Sequence, residues 1–260
     1  VTLGHEIVGT VLAAGPDAAG EVEAGRRYLV FPWIGCGACG ACADGAENLC
    51  EAPRFLGVFA PGGYQTRLTV PDPRYLVDIE GLDPAVAATF ACSGLTTFSA
   101  IDRISPLPED GWVAIIGCGG LGQMAMRVLA ARGHRNVVAL DVAADKRATA
   151  QALGAVAIDP RAQDASRRIA EATGRRLVAV LDFVGSEETA QLAIGALAKG
   201  GTLVLVGLYG GELRYALPFF PVRSITVTGS YVGRLDQLRA FVEFAREADL
   251  GAFPVEVRDR

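Results

Sequence analysis

Four of the six cysteines in this chain lie within residues 36–50, with the spacing C-x₂-C-x₂-C-x₇-C. A tetrahedral Zn²⁺ site needs four thiolates that converge on one point, and the small Gly-Ala pairs between these cysteines let the backbone curl tightly. A Cys₄ site has no open coordination position, so the metal would be structural. The predicted ligands are Cys36, Cys39, Cys42 and Cys50.

Three other interpretations of this cysteine cluster compete with zinc. A [4Fe–4S] cluster uses similar sets of thiolates. Disulfides are disfavoured, because cysteines separated by only two residues are poorly placed to bridge each other. The sequence also indicates a cytosolic protein, in which disulfides are rare. Four unrelated buried thiols in so short a stretch would be a coincidence. The spacing therefore favours a metal, with zinc ahead of iron–sulfur.

A second chemical motif is GCGGLG at residues 117–122, between a predicted strand and a predicted helix. In this context the first glycine makes a tight turn, the second lets the backbone approach a pyrophosphate, and the third permits close helix–strand packing. The helix N-terminus adds N–H donors and a partial positive charge. The other interpretation is a glycine-rich turn without a ligand. The predicted cofactor contacts in the loop are Gly117, Gly119, Gly120, Leu121 and Gly122.

Asp141 ends the next predicted strand, about 20 residues beyond the loop. A carboxylate at this point accepts hydrogen bonds from the adenosine ribose and repels a 2′-phosphate. No arginine follows it immediately, so the sequence predicts NAD rather than NADP as the cofactor.

The elements that must position these motifs divide into two halves. Before residue 85 the chain has short β-type runs separated by turn residues, which predict antiparallel strands. These runs are EIVGTVLAAG, RRYLVFPWI, YQTRLTV and RYLVDI. From residue 111 onwards, apolar strands alternate with helices, which predicts a parallel sheet with helices on both faces. The predicted fold class is α/β: a doubly wound parallel-sheet (Rossmann) domain beside a β-rich domain.

Composition narrows the function classes. The chain has 260 residues, 51% of them hydrophobic, and a net charge of −5. It shows no Lys/Arg cluster that would bind a phosphate backbone, no apolar run near the roughly 18 residues of a membrane span, and no signal peptide. Its first residues, VTLGHE, indicate the middle of a strand, and for that reason we expect a longer parent protein.

His5 and Cys92 are open to two interpretations. His5 lies in GHEIVG on an apolar strand, and Cys92 lies in FACSGLTTFSAI. Taken alone, each is by default a buried core residue. The alternative is that the two residues share a metal ion.

The order of the motifs resembles the zinc-dependent medium-chain alcohol dehydrogenases over essentially the whole chain. GHEIVGTVLAAGPDA is similar to the G-H-E-x₂-G-x₅-G signature of that family, and the four-cysteine loop follows it as in the family. The remaining matching segments are CSGLTTFSA, GCGGLG, LDVAADK, FVGS and VGLYG.

The resemblance implies particular roles. His5 and Cys92 would be ligands of a catalytic zinc, Glu6 a carboxylate close behind it that ligates transiently, and Thr96 a residue beside the nicotinamide. The implied contacts with the rest of the cofactor are Asp141 and Lys146 at the adenosine ribose, and Val184, Gly207 and Leu208 at the nicotinamide.

The resemblance also implies a domain order and a reaction. Residues 1–90 would be a GroES-like catalytic domain with the structural zinc lobe, 91–232 the Rossmann domain, and 233–260 a helix and strand returning to the catalytic domain. The implied enzyme is cytoplasmic, contains structural and catalytic zinc, and transfers hydride between an alcohol and NAD to give an aldehyde or ketone. It would act on small molecules as a homodimer or homotetramer, with no nucleic-acid or membrane partner.

One departure from the family motivates a further expectation. In the family, the first catalytic ligand is a cysteine upstream of G-H-E, followed two positions later by a hydroxyl residue. Both positions precede Val1, so we expect the 260-residue chain to hold its catalytic zinc weakly and to be a poor catalyst. Two alternatives remain: an NAD-binding protein with only the structural zinc, and an S-adenosylmethionine methyltransferase. The combination of GHE with four cysteines argues against the methyltransferase.

Overall fold

The structure is a computed structural model that describes residues 1–248, 250, 251, 253 and 255–258. Contacts within the chain divide it into two compact units. The first contains Val1–Leu95 and Tyr231–Arg260, and the second contains Thr96–Ser230.

The first unit is built on a three-stranded antiparallel sheet in the order β1-β2-β3. The strands are β1 (Ile7–Thr10), β2 (Arg27–Val30) and β3 (Leu76–Asp78). β2 is the central strand, and the apolar side chains at its carboxyl end are buried. The cysteine-rich segment follows β2 and contains helix α1 (Gly40–Ala43) and a 3₁₀ turn (Glu47–Leu49).

The strand predicted for YQTRLTV, residues 64–70, is wrong. The structure contains no strand there. The backbone N–H groups of Gly62, Gly63 and Tyr64 donate instead to the carbonyls of residues 2–4, at 2.7–2.9 Å. At the start of this run, hydrogen bonds to the first residues of the chain therefore replace pairing in the sheet.

A continuous helical run, Pro84–Asp102, follows β3 and its turn. It consists of α2 (Pro84–Thr89), a π-helical turn (Phe90–Gly94) and α3 (Leu95–Asp102). The Asp83 side chain caps its start by accepting bonds from the first-turn N–H groups. By length and composition this run could span a membrane, which corrects the expectation that no apolar run comes near that length, but 56% of its most apolar window is buried in the protein. Buried core helices pass the same test.

The second unit contains six parallel strands in the order β6-β5-β4-β7-β8-β9. This is the doubly wound order in which the chain reverses direction beside β4. The strands are β4 (Trp112–Ile116), β5 (Val137–Leu140), β6 (Val156–Ile158), β7 (Leu177–Asp182), β8 (Thr202–Leu205) and β9 (Thr226–Gly229). The helices between them are α4 (Gly120–Ala131), α5 (Ala144–Ala152), α6 (Ala165–Thr173), α7 (Glu187–Ala196) and α8 (Phe219–Arg223).

The last helix, α9 (Leu235–Glu247), belongs to the first unit. Its Phe241 ring packs edge-on against Phe90 of the π-helical turn, with the ring centroids 4.9 Å apart. Its arginines also bond to the end of β3, since Arg246 donates to the carbonyl of Asp78. The strand predicted after this helix falls in part on residues 249, 252, 254, 259 and 260, which lie outside the described residues.

Candidate metal centre and cofactor site

The four sulfurs of the cysteine loop converge as the spacing predicts. Cys39 Sγ lies 3.6 Å from Cys42 Sγ and 3.7 Å from Cys50 Sγ, and the Cys36–Cys42 separation is 4.0 Å. All four sulfurs lie within 4.8 Å of one another. Four ligands at about 2.3 Å from one zinc ion are about 3.8 Å apart in a regular tetrahedron, so the spacing fits Zn²⁺.

The same distances bear on the other interpretations of this loop. A disulfide joins sulfurs at about 2 Å, far closer than any pair here. A [4Fe–4S] cluster binds each thiolate to a different iron, which spreads the sulfurs further apart than a single ion does. The geometry therefore favours one ion over a bond or a cluster.

The environment of the thiols also suits a dication. Hydrogen bonds from the backbone at Cys42 and Glu51 lower the pKa of Cys39 to about 6. Burial raises the pKa of Cys42 to about 12. Some of the four thiols therefore ionise readily while another resists, and a bound divalent cation is what stabilises all four as thiolates.

The glycine-rich loop has the shape that a dinucleotide pyrophosphate requires. Gly117 has a φ of +87°, which makes the turn out of β4. A Cβ at Gly122 would collide with the carbonyl oxygen of Gly117, so only glycine lets α4 pack so close to the strand. Gly119 and Gly120 face open space, with nothing within 4 Å of a Cβ at either position. This open face lies at the N-terminus of a 12-residue helix.

Asp141 lies where the sequence predicts, directly after β5. Its carboxylate accepts bonds at 2.8 Å from the backbone N–H of Cys118 and from that of Ala143. These bonds fix the carboxylate against the glycine-rich loop. Lys146 is partly buried and lies on the first turns of α5, five residues after Asp141.

Two further loops lie at the carboxyl ends of β7 and β8. The backbone carbonyl of Asp182 accepts bonds from the N–H groups of Val206 and Gly207, and the carbonyl of Val184 accepts one from Tyr209. The Val184 and Gly207 backbones are thus held side by side, while the Leu208 side chain is 85% exposed. Together with the glycine-rich loop, these segments surround the point where the strand order reverses, which is where ligands bind in such sheets.

His5, Glu6 and Cys92 all lie in the first unit. The His5 ring packs against Trp33, with centroids 5.2 Å apart, and the Trp33 indole donates to the carbonyl of Ala91 at 2.8 Å. Burial lowers the pKa of His5. Burial raises the pKa of Glu6, and a bond with the backbone at Ser93 opposes that rise. Glu6 thus bonds at Ser93, the residue after Cys92, and His5 is linked through Trp33 to Ala91, the residue before it.

The nitrogen, oxygen and sulfur donors of these three residues are of the types that zinc binds. A neutral imidazole, favoured by the low pKa of His5, is also the form that ligates. However, among the described residues the group of ligand atoms that lie within 4.8 Å of one another is that of the four loop cysteines, and His5, Glu6 and Cys92 are not such a group. His5 and Glu6 instead line an open cavity of about 850 Å³, together with Arg27, Val58 and Tyr64.

The structure places Thr96 at the start of the second unit, where it is 5% exposed. Its neighbour Thr97 was not predicted, yet its hydroxyl donates to the carbonyl of Leu121 in α4. Arg147 was also not predicted. Its guanidinium donates to the carbonyls of Asp141 and Val142 and pairs with Asp159 at 3.2 Å.

Two buried carboxylates were missed. Asp182 has no exposed surface, and it accepts bonds from the N–H groups of Val184 and Gly185 and from the Thr189 hydroxyl. Glu47 is 5% exposed and lies inside the cysteine loop. Glu47, in GAENLC, gives no local signal, because its partner Tyr75 lies 28 residues away. Asp182, in DFVGSEET, has its partners within the same segment, so an aspartate followed by a turn and a threonine was the available signal.

Comparison with known proteins gives consistent matches. Residues 1–81 match the family model described as alcohol dehydrogenase GroES-like domain. Residues 120–247 match the model described as zinc-binding dehydrogenase. An NAD-dependent alcohol dehydrogenase from Sulfurisphaera tokodaii is 35% identical over 247 residues, which cover 94% of this chain and 71% of that protein.

Solved structures agree with these matches. The D-arabinose dehydrogenase from Sulfolobus solfataricus superposes with a TM-score of 0.86 at 28% identity, covering 94% of this chain and 76% of that one. The alcohol dehydrogenase from Aeropyrum pernix superposes with a TM-score of 0.85 at 31% identity, covering 95% of this chain and 72% of that one.

Proposed function

The chain belongs to the zinc-dependent medium-chain alcohol dehydrogenase family, and from that premise we propose which of its residues carry the reaction. The enzyme is an NAD-dependent alcohol dehydrogenase, with zinc and NAD as cofactors. It transfers a hydride between an alcohol and NAD, which interconverts the alcohol and an aldehyde or ketone.

In this proposal NAD binds at the switch point of the parallel sheet. The open backbone face of Gly119 and Gly120 takes the pyrophosphate, and Asp141 and Lys146 take the adenosine ribose. Val184, Gly207 and Leu208 line the nicotinamide side, and Thr96 lies beside the ring. The observation that carries the proposal is the hydrogen bond of Asp141 to the glycine-rich loop, which orients one carboxylate between strand and loop.

For the metal, we propose two sites with different duties. Cys36, Cys39, Cys42 and Cys50 hold the structural ion. His5 and Cys92 are the proposed protein ligands of the catalytic ion, with Glu6 behind them. When bound, catalytic zinc supplies Lewis acidity that lowers the pKa of an alcohol. His5 contributes a neutral nitrogen donor, and Trp33 fixes the plane of its ring.

For the substrate, we propose an apolar alcohol of the aryl or medium-chain type. The supporting observation is a chain of aromatic contacts that runs from His5 through Trp33 and Phe55 to the exposed Phe59 ring. The competing candidate is a sugar or polyol, because the superposed Sulfolobus enzyme is named as a D-arabinose dehydrogenase. Relative kcat/KM for benzyl alcohol and D-arabinose distinguishes these candidates.

We further propose the three-part division into residues 1–90, 91–232 and 233–260, a cytoplasmic location, and a homodimer or homotetramer. Clustered thiols that must stay reduced to bind zinc favour a reducing compartment. Strand β9 forms an edge of its sheet, which offers unpaired backbone groups for association.

The test compares the unchanged chain with Cys92→Ala and a matched control, Ser99→Ala, which removes a buried hydroxyl from the same helical run. NADH binding by fluorescence, zinc content and NAD-dependent oxidation of an alcohol panel are measured together. Because the unchanged chain is itself expected to hold this zinc weakly, both proteins are measured after titration with added Zn²⁺. We expect Cys92→Ala to bind NADH normally, to take up no zinc beyond the structural ion, and to lose the zinc-dependent part of the turnover. Zinc uptake and turnover in Cys92→Ala equal to those of the unchanged chain after the titration would remove Cys92 from the site. An unchanged chain that does not bind NADH would refute the proposed cofactor site.

A further inference from the structure

Glu47 is a buried carboxylate at the centre of the cysteine loop. One of its oxygens, Oε2, accepts bonds from the backbone N–H of Gly35 at 2.8 Å and from the Tyr75 hydroxyl at 2.7 Å. The other oxygen faces the Arg74 guanidinium at 3.2 Å. Buried charge is costly unless it is paired and hydrogen-bonded, and here every contact supplies a donor.

These contacts join the two ends of the metal loop, the cysteine-containing segment of residues 36–50. Gly35 immediately precedes Cys36, and Glu47 lies three residues before Cys50. The carboxylate therefore ties the entry of the loop to its exit. The packing between these ends is tight, since a Cβ on Gly35 would lie 3.2 Å from the Glu47 Cβ and would collide with Cys42 Sγ.

The same carboxylate anchors the loop to the core of the first unit. Tyr75 is 3% exposed, and its ring stacks on Phe31 at the end of β2, with centroids 6.1 Å apart. Burial and the bond to Glu47 raise the pKa of Tyr75 to about 12, so the phenol stays a donor. The Arg74 guanidinium lies over the Tyr75 ring at 4.7 Å and supplies the opposing charge.

We infer that Glu47 is a positioning residue for the metal loop: it holds the two ends of the loop together, so that the four thiolates keep their spacing around the ion and the ion is released slowly. Outer groups that orient metal ligands set the affinity of a site without touching the metal. Glu47 acts on no sulfur directly: it fixes the backbone on which Cys36 and Cys50 stand. The inference rests on zinc as the ion at these four cysteines and not on the dehydrogenase reaction.

The sharpest variant is Glu47→Gln, which keeps the size of the side chain but replaces one acceptor oxygen with a donor amide. The amide cannot accept bonds from all three neighbouring donors. Tyr75→Phe removes one of those donors and leaves the carboxylate. Asp72→Asn is the matched control, because Asp72 Oδ2 lies 3.8 Å from the same Arg74 guanidinium but bonds no atom of the metal loop.

The measurement is the rate of zinc release from the folded protein to a colorimetric chelator. It is combined with unfolding curves for the zinc-loaded and zinc-stripped forms and with the visible spectrum after cobalt substitution. We expect Glu47→Gln to release zinc about 10- to 100-fold faster, within the range for outer-shell partners, with Tyr75→Phe intermediate and Asp72→Asn unchanged. The cobalt spectrum should keep its tetrahedral thiolate form, because all four ligands remain.

A purely structural role predicts a different result. In that case Glu47→Gln would destabilise the loaded and stripped forms equally and leave the release rate unchanged, which would overturn the inference. If Glu47→Gln does not fold, Tyr75→Phe decides the question, and a release rate equal to that of the unchanged chain would overturn it. Absence of zinc from the unchanged chain would refute the metal assignment itself, separately from the role of Glu47.

Discussion

The metal loop and the glycine-rich loop bind their proposed ligands in opposite ways. The metal loop offers four side chains, and its backbone serves to carry them. The glycine-rich loop offers backbone N–H groups and succeeds by having no side chains at Gly119 and Gly120, where a Cβ would meet only open space. The metal loop therefore depends on its cysteine side chains, and the glycine-rich loop depends on the absence of side chains.

The two loops also differ in what holds them. The glycine-rich loop lies between β4, whose last four residues are buried, and α4, whose residues Met124, Ala125 and Val128 are almost completely buried. The metal loop is a long excursion from a sheet whose strands are only three or four residues long. We therefore expect the cofactor loop to be preformed by packing and the metal loop to depend on its ion.

Removing one thiolate gives the largest expected effect. In Cys39→Ala the ion loses a quarter of its ligand set, and structural zinc contributes about 10–16 kcal/mol in small zinc-dependent domains. We expect zinc to be lost from this site, with unfolding or aggregation of the first unit. Metal analysis and circular dichroism check the result. Cys118→Ala is the matched control and should keep the ion. If Cys39→Ala, or the chelated protein, stays folded and equally stable, the loop does not depend on metal.

A pair of glycine substitutions tests the preformed loop. In Gly122→Ala the new methyl group collides with the Gly117 carbonyl oxygen, and overpacking of this kind costs about 1–3 kcal/mol of stability. In Gly119→Ala the methyl group enters the space proposed for the pyrophosphate, so NAD affinity should fall while stability is unchanged. Urea unfolding and NADH titration separate these effects. Gly195→Ala in α7, where a Cβ also meets nothing, is the control. Normal NADH binding by Gly119→Ala would place the pyrophosphate elsewhere.

Both loops of this comparison could be predicted from the sequence. The four-cysteine spacing and the G-x-G-x-x-G between strand and helix are local patterns, and each needs only neighbouring residues to be recognised. The parallel sheet was predicted because β4, β5 and β7 are continuous apolar runs, and the structure buries them from both faces.

Two of the three features that the sequence did not reveal depend on remote partners. Glu47 is buried because Tyr75, 28 residues further along the chain, donates to it. Asp182 is buried because its turn folds back onto its own carboxylate. The run YQTRLTV has β-type composition, but its first residue, Tyr64, bonds to the start of the chain instead of to the sheet. For Glu47 and for this run, local propensity was overridden by a contact that no short window contains, whereas the contacts of Asp182 lie within seven residues of it.

The cofactor side of the comparison can be sharpened with Asp141→Asn. The substitution removes the charge that would repel a 2′-phosphate and weakens the proposed ribose bonds. Hydrogen bonds to charged groups are worth about 1.5–3 kcal/mol, so NAD affinity should fall roughly tenfold or more and the gap between NAD and NADP should narrow. Titration with both cofactors measures this. Asp145→Asn, an exposed carboxylate on α5, controls for a general change in charge. A preference of the unchanged chain for NADP would show that Asp141 is misassigned.

The prediction with the smallest expected effect tests whether surface ion pairs, as well as the metal, stabilise the first unit. Asp78 at the end of β3 pairs with Arg26 at 2.6 Å and lies 3.6 Å from Arg246 of α9. Burial raises the pKa of Asp78, but the bonds from Arg26 and the Glu80 N–H, with the charges of Arg26 and Arg246, lower it overall. The stabilisation is therefore complete above the unfolded-state pKa of about 3.9 and is lost as the pH falls through the lower folded-state pKa.

Because the Asp78 side chain is 41% exposed, Asp78→Asn should cost at most about 1 kcal/mol at pH 7, with the loss reduced by added salt. The difference in unfolding free energy between Asp78→Asn and the unchanged chain should shrink as the pH approaches 3. Asp17→Asn, another exposed carboxylate, should show neither effect. A loss of stability much larger than 1 kcal/mol, insensitive to salt and pH, would mean that Asp78 acts by packing against α9 and not by its ion pair with Arg246. The first unit would then resemble the second in being held by packing.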